Sequence, residues 1–226
     1  DYKIKADLKN FIPIFIQKIQ DVNYTCTKEH KKYLMWCKER VIEYPVVLPE
    51  YVNKKNKKIN PYVFIDELFK LLHKDDVVIT GNGSACVITF QAAKIKQGQR
   101  LYTNSGSASM GYDLPASIGA AIAKKGKRII CLAGDGSLMM NLQELQTMQG
   151  YNLPIKVFIL NNEGYVSIKQ TQEAYFSDNI SGVGPKSGVS MPNFIELGKA
   201  LNIPNIKVTK LSQLSSSKFL KMLNDN

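Results

Sequence analysis

Two short segments combine residue types that bind anions and hard cations: Gly134-Asp135-Gly136-Ser137 and Asn161-Asn162-Glu163-Gly164. Gly136 and Ser137 open a predicted helix, whose first N–H groups and positive dipole end favour a phosphate. Asp135 in the same loop would repel a bare phosphate. A divalent cation resolves that conflict. One carboxylate oxygen from Asp135, one amide oxygen from Asn162 and one backbone carbonyl, completed by diphosphate oxygens and water, make an octahedral magnesium site. Asparagine suits the role because it adds an oxygen without a second negative charge. Taken alone, Gly134-Asp135-Gly136 is equally an ordinary tight turn.

The elements around these loops give the pattern its weight. From Asn60 onward the sequence alternates helix and strand. Asn60-Pro61 is an N-cap and N1 pair opening a helix to Leu72, and Val77-Val78-Ile79-Thr80 is a β-branched strand ending in Gly81-Asn82-Gly83. A helix over residues 84–94, a strand over 100–103, an Ala-rich helix over 114–124 and a strand over 128–133 follow. Next come one helix over 138–148, a strand over 154–160, helices over 193–200 and 212–223, and a weak strand over 206–208. This alternation predicts an α/β fold: a parallel sheet with helices on both faces, doubly wound if its crossovers are right-handed. In such a sheet the loops leaving the carboxyl ends of the strands share one crevice. The loops after Thr80, Ala133 and Leu160 should therefore meet.

Residues 1–45 read instead as two helices, one carrying Leu8, Phe11, Ile12, Phe15, Ile16 and Ile19 at helical spacing. Pro13 is expected to kink that helix or mark its start. The expected organisation is a helical segment over 1–48, a linker over 49–59 that holds the Lys54-Lys55-Asn56-Lys57-Lys58 run, and a cofactor-binding domain over 60–226.

Composition narrows the function classes. The 226 residues carry a formal charge of +11, with 44% hydrophobic and 22% charged residues, which places the chain among folded proteins. The lysine run has no interleaved aromatics and reads as a solvated linker, so the positive field points to anionic small molecules rather than nucleic acid. No apolar run approaches the roughly 18–20 residues of a membrane span. Cys26, Cys37, Cys86 and Cys131 form no Cys-x-x-Cys pair, and a cytoplasmic protein with reduced thiols is expected. A dinucleotide fold competes for the glycine loops, but both lack the third glycine of its fingerprint, and no Walker A sequence occurs.

Gly134-Asp135-Gly136-Ser137-Leu138-Met139, followed after some two dozen residues by Leu160-Asn161-Asn162-Glu163-Gly164-Tyr165, resembles the diphosphate-binding domain of thiamine-diphosphate enzymes. Met110-Gly111-Tyr112-Asp113-Leu114-Pro115-Ala116 resembles the acetolactate synthase branch of that family, and residues 1–50 resemble the tail of its middle domain. The resemblance implies thiamine diphosphate and Mg2+ as cofactors, with Asp135 and Asn162 ligating magnesium by side chains and Gly164 by its carbonyl. It implies that Gly134, Gly136, Ser137, Asn162, Gly164 and Tyr165 hold the diphosphate on one side and Gly83 and Ser84 on the other. The Ala108 carbonyl would accept from the aminopyrimidine. Met110, by composition a packing residue, would be the catalytic wedge bending the cofactor so that its amino group faces thiazolium C2. The implied substrate is a 2-oxo acid, decarboxylated and passed on as an acyl carbanion equivalent.

The sequence also departs from that pattern. Acetolactate synthases usually carry Gln-His where this chain has Ser84-Ala85, a loop more like relatives associated with surface-sugar biosynthesis. The family's pyrimidine-binding domain, with its activating glutamate, has no counterpart here, and the closing strand is expected to be missing. The expectation is thus a C-terminal part of a larger homodimeric or tetrameric enzyme, inactive by itself. The alternative is a separate subunit that needs a pyrimidine-domain partner.

Overall fold

The computed structural model describes residues 1–52, 58–176 and 179–225. The chain divides into two compact units, Asp1–Pro45 and Val46–Asn226. The first holds helices α1 (Leu8–Asp21) and α2 (Lys28–Glu43), capped by the side chains of Asp7 and Thr27. Pro13 lies inside α1, which starts five residues before it. No residue of either helix is buried. Residues 53–57, the middle of the expected linker, lie outside the described residues; Pro49–Val52 before them is a short 3-10 turn.

The second unit is the α/β domain. Its elements are α3 (Pro61–Leu71), β1 (Val77–Thr80), α4 (Gly83–Ala92), β2 (Arg100–Tyr102), α5 (Asp113–Ala123), β3 (Ile129–Gly134), α6 (Asp135–Met139), α7 (Glu144–Gly150), β4 (Ile155–Leu160), α8 (Val166–Tyr175), α9 (Phe194–Ala200) and α10 (Ser217–Asn224). The Asn60 side chain accepts the Tyr62 N–H, and Pro61 occupies the first helical position where no intrahelical N–H is needed.

The four strands are all parallel, in the order β2-β1-β3-β4. Successive side chains point to opposite faces with the two-residue period of a strand, and β1 and β3 are buried almost throughout. Val78, Ile130 and Leu132 face a core layer built with Leu68, Phe69 and Phe219 from α3 and α10. Val77, Ile79, Ile129, Cys131 and Ala133 face a second layer with Leu114, Leu138 and Met148 from α5, α6 and α7. Both faces are therefore covered, as the near-continuous apolar strands require.

Four elements differ from the sequence expectation. The helix over 212–223 is a 3-10 turn at Leu211–Ser215 followed by α10, because Ser216 is extended and caps the new helix by accepting the Phe219 N–H. The single helix over 138–148 is two helices, because α6 begins at Asp135 and the chain leaves it through turns at residues 140–143. There the Asn141 side chain donates to the Gly111 carbonyl at 2.6 Å. The stretch 206–208 forms no strand; Ile206 and Val208 pack on the first core layer instead. Helix α8, too polar to show an apolar stripe, was not anticipated. Among the described residues no helix is long and apolar enough to cross a membrane.

Candidate functional site

Strand order places the crevice. β1 leads outward to β2 in one direction, while β3 sits on its other side, so the sheet reverses direction between β1 and β3. Loops diverge at such a point and leave space above the carboxyl ends. Register then aligns the exits: Thr80 lies opposite Leu132, and Gly134 opposite Leu160. The loops after β1, β3 and β4 consequently line one cleft. Gly83, Ser84, Met110, Gly134, Asp135, Gly136, Ser137, Asn162, Gly164 and Tyr165 all line it. Of the sequence-derived site residues only Ala108 stands outside the lining.

Asp135 is the knot of the site. Its side chain is 1% exposed. Oδ2 accepts the N–H groups of Asn162 and Gly164, each at 3.1 Å, and Oδ1 accepts the Gly136 N–H at 2.8 Å. A carboxylate offers about four lone-pair positions, so Oδ2 is filled and Oδ1 retains one. The Asn162 side chain is exposed and makes no hydrogen bond to the described residues. Among the described residues no three His, Cys, Asp or Glu side chains gather as a metal cluster. A cation here would thus rest on one carboxylate, supplemented by amide and carbonyl oxygens. That donor set is hard oxygen throughout, as magnesium requires.

The glycines act by closeness. A Cβ at Gly136 would stand 2.3 Å from the Tyr165 ring, and one at Gly164 would stand 2.2 Å from the Val183 carbonyl oxygen, at φ +146°. The Tyr165 ring therefore lies directly over the Gly136 backbone, and the Tyr165 N–H donates to the Val183 carbonyl at 3.0 Å. The Gly136 N–H is committed to Asp135, and α6 is only five residues long. Anion attraction at this turn therefore comes from local N–H groups more than from a long helix dipole.

Ser137 is oriented inward. Its hydroxyl donates to Asp113 Oδ2 at 2.5 Å and accepts the Gly111 N–H at 2.9 Å. Met110, next to Gly111, reaches the cleft wall. Ala108 has φ +51°, and its carbonyl accepts from the Asn82 side chain at 3.1 Å. Asp113, Asn82 and Asn141 were given no role from sequence. The available signal for Asp113 was an acid among small and apolar residues at the start of an Ala-rich helix.

Asp113 is 1% exposed. Burial pushes its carboxyl above the ordinary carboxylate range, and hydrogen bonds from Ser137 and the Leu114 N–H oppose that shift without cancelling it. Cys131 is fully buried, and burial together with the Asp113 charge pushes its thiol strongly upward.

Residues 81–225 match the family of thiamine pyrophosphate enzymes over its C-terminal TPP binding domain. The chain is 36% identical over 174 residues to the acetolactate synthase large subunit of Cyanidium caldarium, covering 77% of this chain and 28% of that protein. It is 32% identical over 166 residues to acetolactate synthase 2, chloroplastic, of Zea mays (72% and 26%), and 32% identical over 190 residues to the large subunit of Porphyra purpurea (84% and 32%). It therefore spans between about a quarter and a third of the length of these relatives. With a parallel sheet, a cleft at its reversal point and Asp135 joining two consecutive strand exits, the chain belongs to the thiamine-pyrophosphate-dependent, acetolactate synthase-like enzymes, of which it carries the C-terminal cofactor-binding domain.

Proposed function

We propose that the cleft holds thiamine diphosphate through its diphosphate and one Mg2+, in an enzyme that decarboxylates a 2-oxo acid and transfers the acyl carbanion equivalent. The observation that carries this reading is the Asp135 carboxylate, which gathers the Asn162 and Gly164 loop while keeping an Oδ1 lone pair free. Asp135 Oδ1, the Asn162 amide oxygen and the Gly164 carbonyl would ligate the cation. Gly134, Gly136, Ser137 and Tyr165 would border the diphosphate on one side, and Gly83 and Ser84 on the other. Met110 and the Ala108 carbonyl would orient the rings, which requires the Asn82 amide to release Ala108. Thiamine diphosphate, when bound, supplies the electron sink for decarboxylation.

In this reading residues 1–48 end a middle domain, 49–59 link it, and 60–226 bind the cofactor in a cytoplasmic homodimer or tetramer. The activating glutamate comes from a pyrimidine-binding domain outside this chain. A second reading makes the chain a separate subunit, possessing a surface-sugar type of specificity; the small Ser84 and Ala85 side chains in the cleft wall support it.

Calorimetric titration with thiamine diphosphate, with and without Mg2+, tests the cofactor. Binding that requires the metal is expected, and metal-independent or absent binding would overturn it. The chain alone should not decarboxylate pyruvate, whereas a pyrimidine-domain chain added in trans should restore turnover.

A further inference from the structure

We propose that Asp113 is a positioning residue that sets the place of Met110, and thereby governs how the cleft receives the organic rings of the cofactor rather than its diphosphate. The proposal rests on the thiamine diphosphate reading above.

The geometry is a chain of three hydrogen bonds that joins the start of α5, α6, the turn after it and the loop before α5. Asp113 opens α5, where its Oδ1 accepts the Leu114 N–H at 3.0 Å, an ordinary helix-start contact. Its second oxygen does something that helix capping does not require: it accepts the Ser137 hydroxyl from α6. With its hydrogen so directed, Ser137 Oγ turns a lone pair to the Gly111 N–H. The Gly111 carbonyl is held in turn by Asn141. Both backbone groups of Gly111 are thus fixed by residues beyond β3, and Met110 is its neighbour.

Space is tight throughout. A Cβ at Gly81 would lie 2.3 Å from Asp113 Oδ2, and one at Gly111 (φ +79°) would lie 2.5 Å from the Asn141 amide and 2.7 Å from Met140 Cβ. Asp113 is therefore seated where the exits of β1 and β3 and the Met110 loop converge. A buried carboxylate is costly unless hydrogen-bonded, and a helix start alone would be served by an exposed one. Its burial at this junction fits the task of holding a loop in register.

Asp113→Asn breaks the chain with little change of shape. If Asn Oδ1 keeps the Leu114 N–H, its NH2 donates to the second lone pair of Ser137 Oγ, the hydroxyl hydrogen must turn away without its acceptor, and the lone pair held to the Gly111 N–H is re-aimed. Asn141→Ala removes the second tie on Gly111 independently. Two probes separate the halves of the cleft: thiamine diphosphate with Mg2+, and inorganic pyrophosphate with Mg2+. Both variants should weaken the first on the order of tenfold, the size of one lost charge-assisted hydrogen bond; Asn141→Ala, whose amide holds only the Gly111 carbonyl, should change the second less than about twofold. Amide hydrogen exchange should quicken over residues 104–112 and stay as in the wild type over 162–165. A parallel loss of both ligands in Asn141→Ala, or unaltered exchange in the Met110 loop in either variant, overturns the proposal. If the wild type binds neither probe, the functional reading fails and the exchange pattern alone decides. If Asp113→Asn does not fold, Asn141→Ala carries the same test.

Discussion

One carboxylate oxygen of Asp135, at the exit of β3, accepts the buried Gly164 N–H from the exit of β4 at 3.1 Å. The bond ties consecutive strand exits through a side chain rather than through the sheet. Asp135→Ala should leave the N–H groups of Gly136, Asn162 and Gly164 without their acceptor, two of them buried and that of Asn162 partly buried. The expected loss is about 2–3 kcal/mol, read from the urea midpoint at unchanged slope. Magnesium-dependent cofactor binding should vanish with it, and an undiminished affinity would remove Asp135 from the proposed metal site.

Glycines of the two loops should respond very differently to a methyl group. At Gly164 the obstacle is the Val183 carbonyl, part of the backbone, and the φ of +146° is closed to alanine. Gly164→Ala is expected to cost about 3 kcal/mol and to displace residues 183–184. Gly134→Ala meets nothing within 4 Å and should melt within a few degrees of the wild type. Equal melting temperatures for both variants would contradict this account.

At the amino ends of the strands, away from the cleft, Arg128 pairs with Asp76 through two nitrogens and also donates to the Leu223 carbonyl at 2.9 Å. The paired side chains are only 8% and 6% exposed. Removing one partner leaves a buried, uncompensated charge, so Asp76→Ala should lose about 3–5 kcal/mol in chemical denaturation. Cofactor affinity of the folded fraction should stay the same; a large change in affinity would mean that this end of the sheet communicates with the cleft.

Stability should also follow the Asp113 proton. Its folded pKa lies above the unfolded value of about 3.9, because burial disfavours the charge. The folded state therefore holds the proton more tightly. The associated stability is complete below about pH 3.9 and is lost as pH rises through the folded value. Asp113→Asn has no such proton, so the stability gap between wild type and variant should narrow as pH climbs above about 4. Asp66 works in the opposite sense: burial raises its pKa, but hydrogen bonds from Lys94 and Lys70 bring it down overall. That contribution is common to both proteins and cancels. A pH-independent gap, measured by urea denaturation, would contradict the burial argument.

The parallel fold was legible because its strands are apolar runs closed by glycine and asparagine, a signal carried within each segment. The meeting of the Asp135 and Asn162 loops was legible for the same reason: each follows a strand exit, and the register that pairs Gly134 with Leu160 sets those exits side by side. Asp113 was not legible as a hub, since its partner Ser137 lies 24 residues away and only tertiary packing joins them. The break after α6 was hidden likewise, because Asn141 is drawn off by the Gly111 carbonyl, a contact with no local trace. Residues 206–208 have strand composition, but Ile206 and Val208 find burial on the helical layer and need no ladder.

β4 is an outer margin of the sheet: among the described residues it pairs with β3 alone. Its far side presents a ladder half that an incoming extended segment could complete, widening the sheet sideways without crossing the crevice at the strand tips. Crowded solutions should therefore favour lateral association that spares ligand uptake. Lys156 carries the only charge on that strand, and its ammonium is moored to the Asp225 carbonyl.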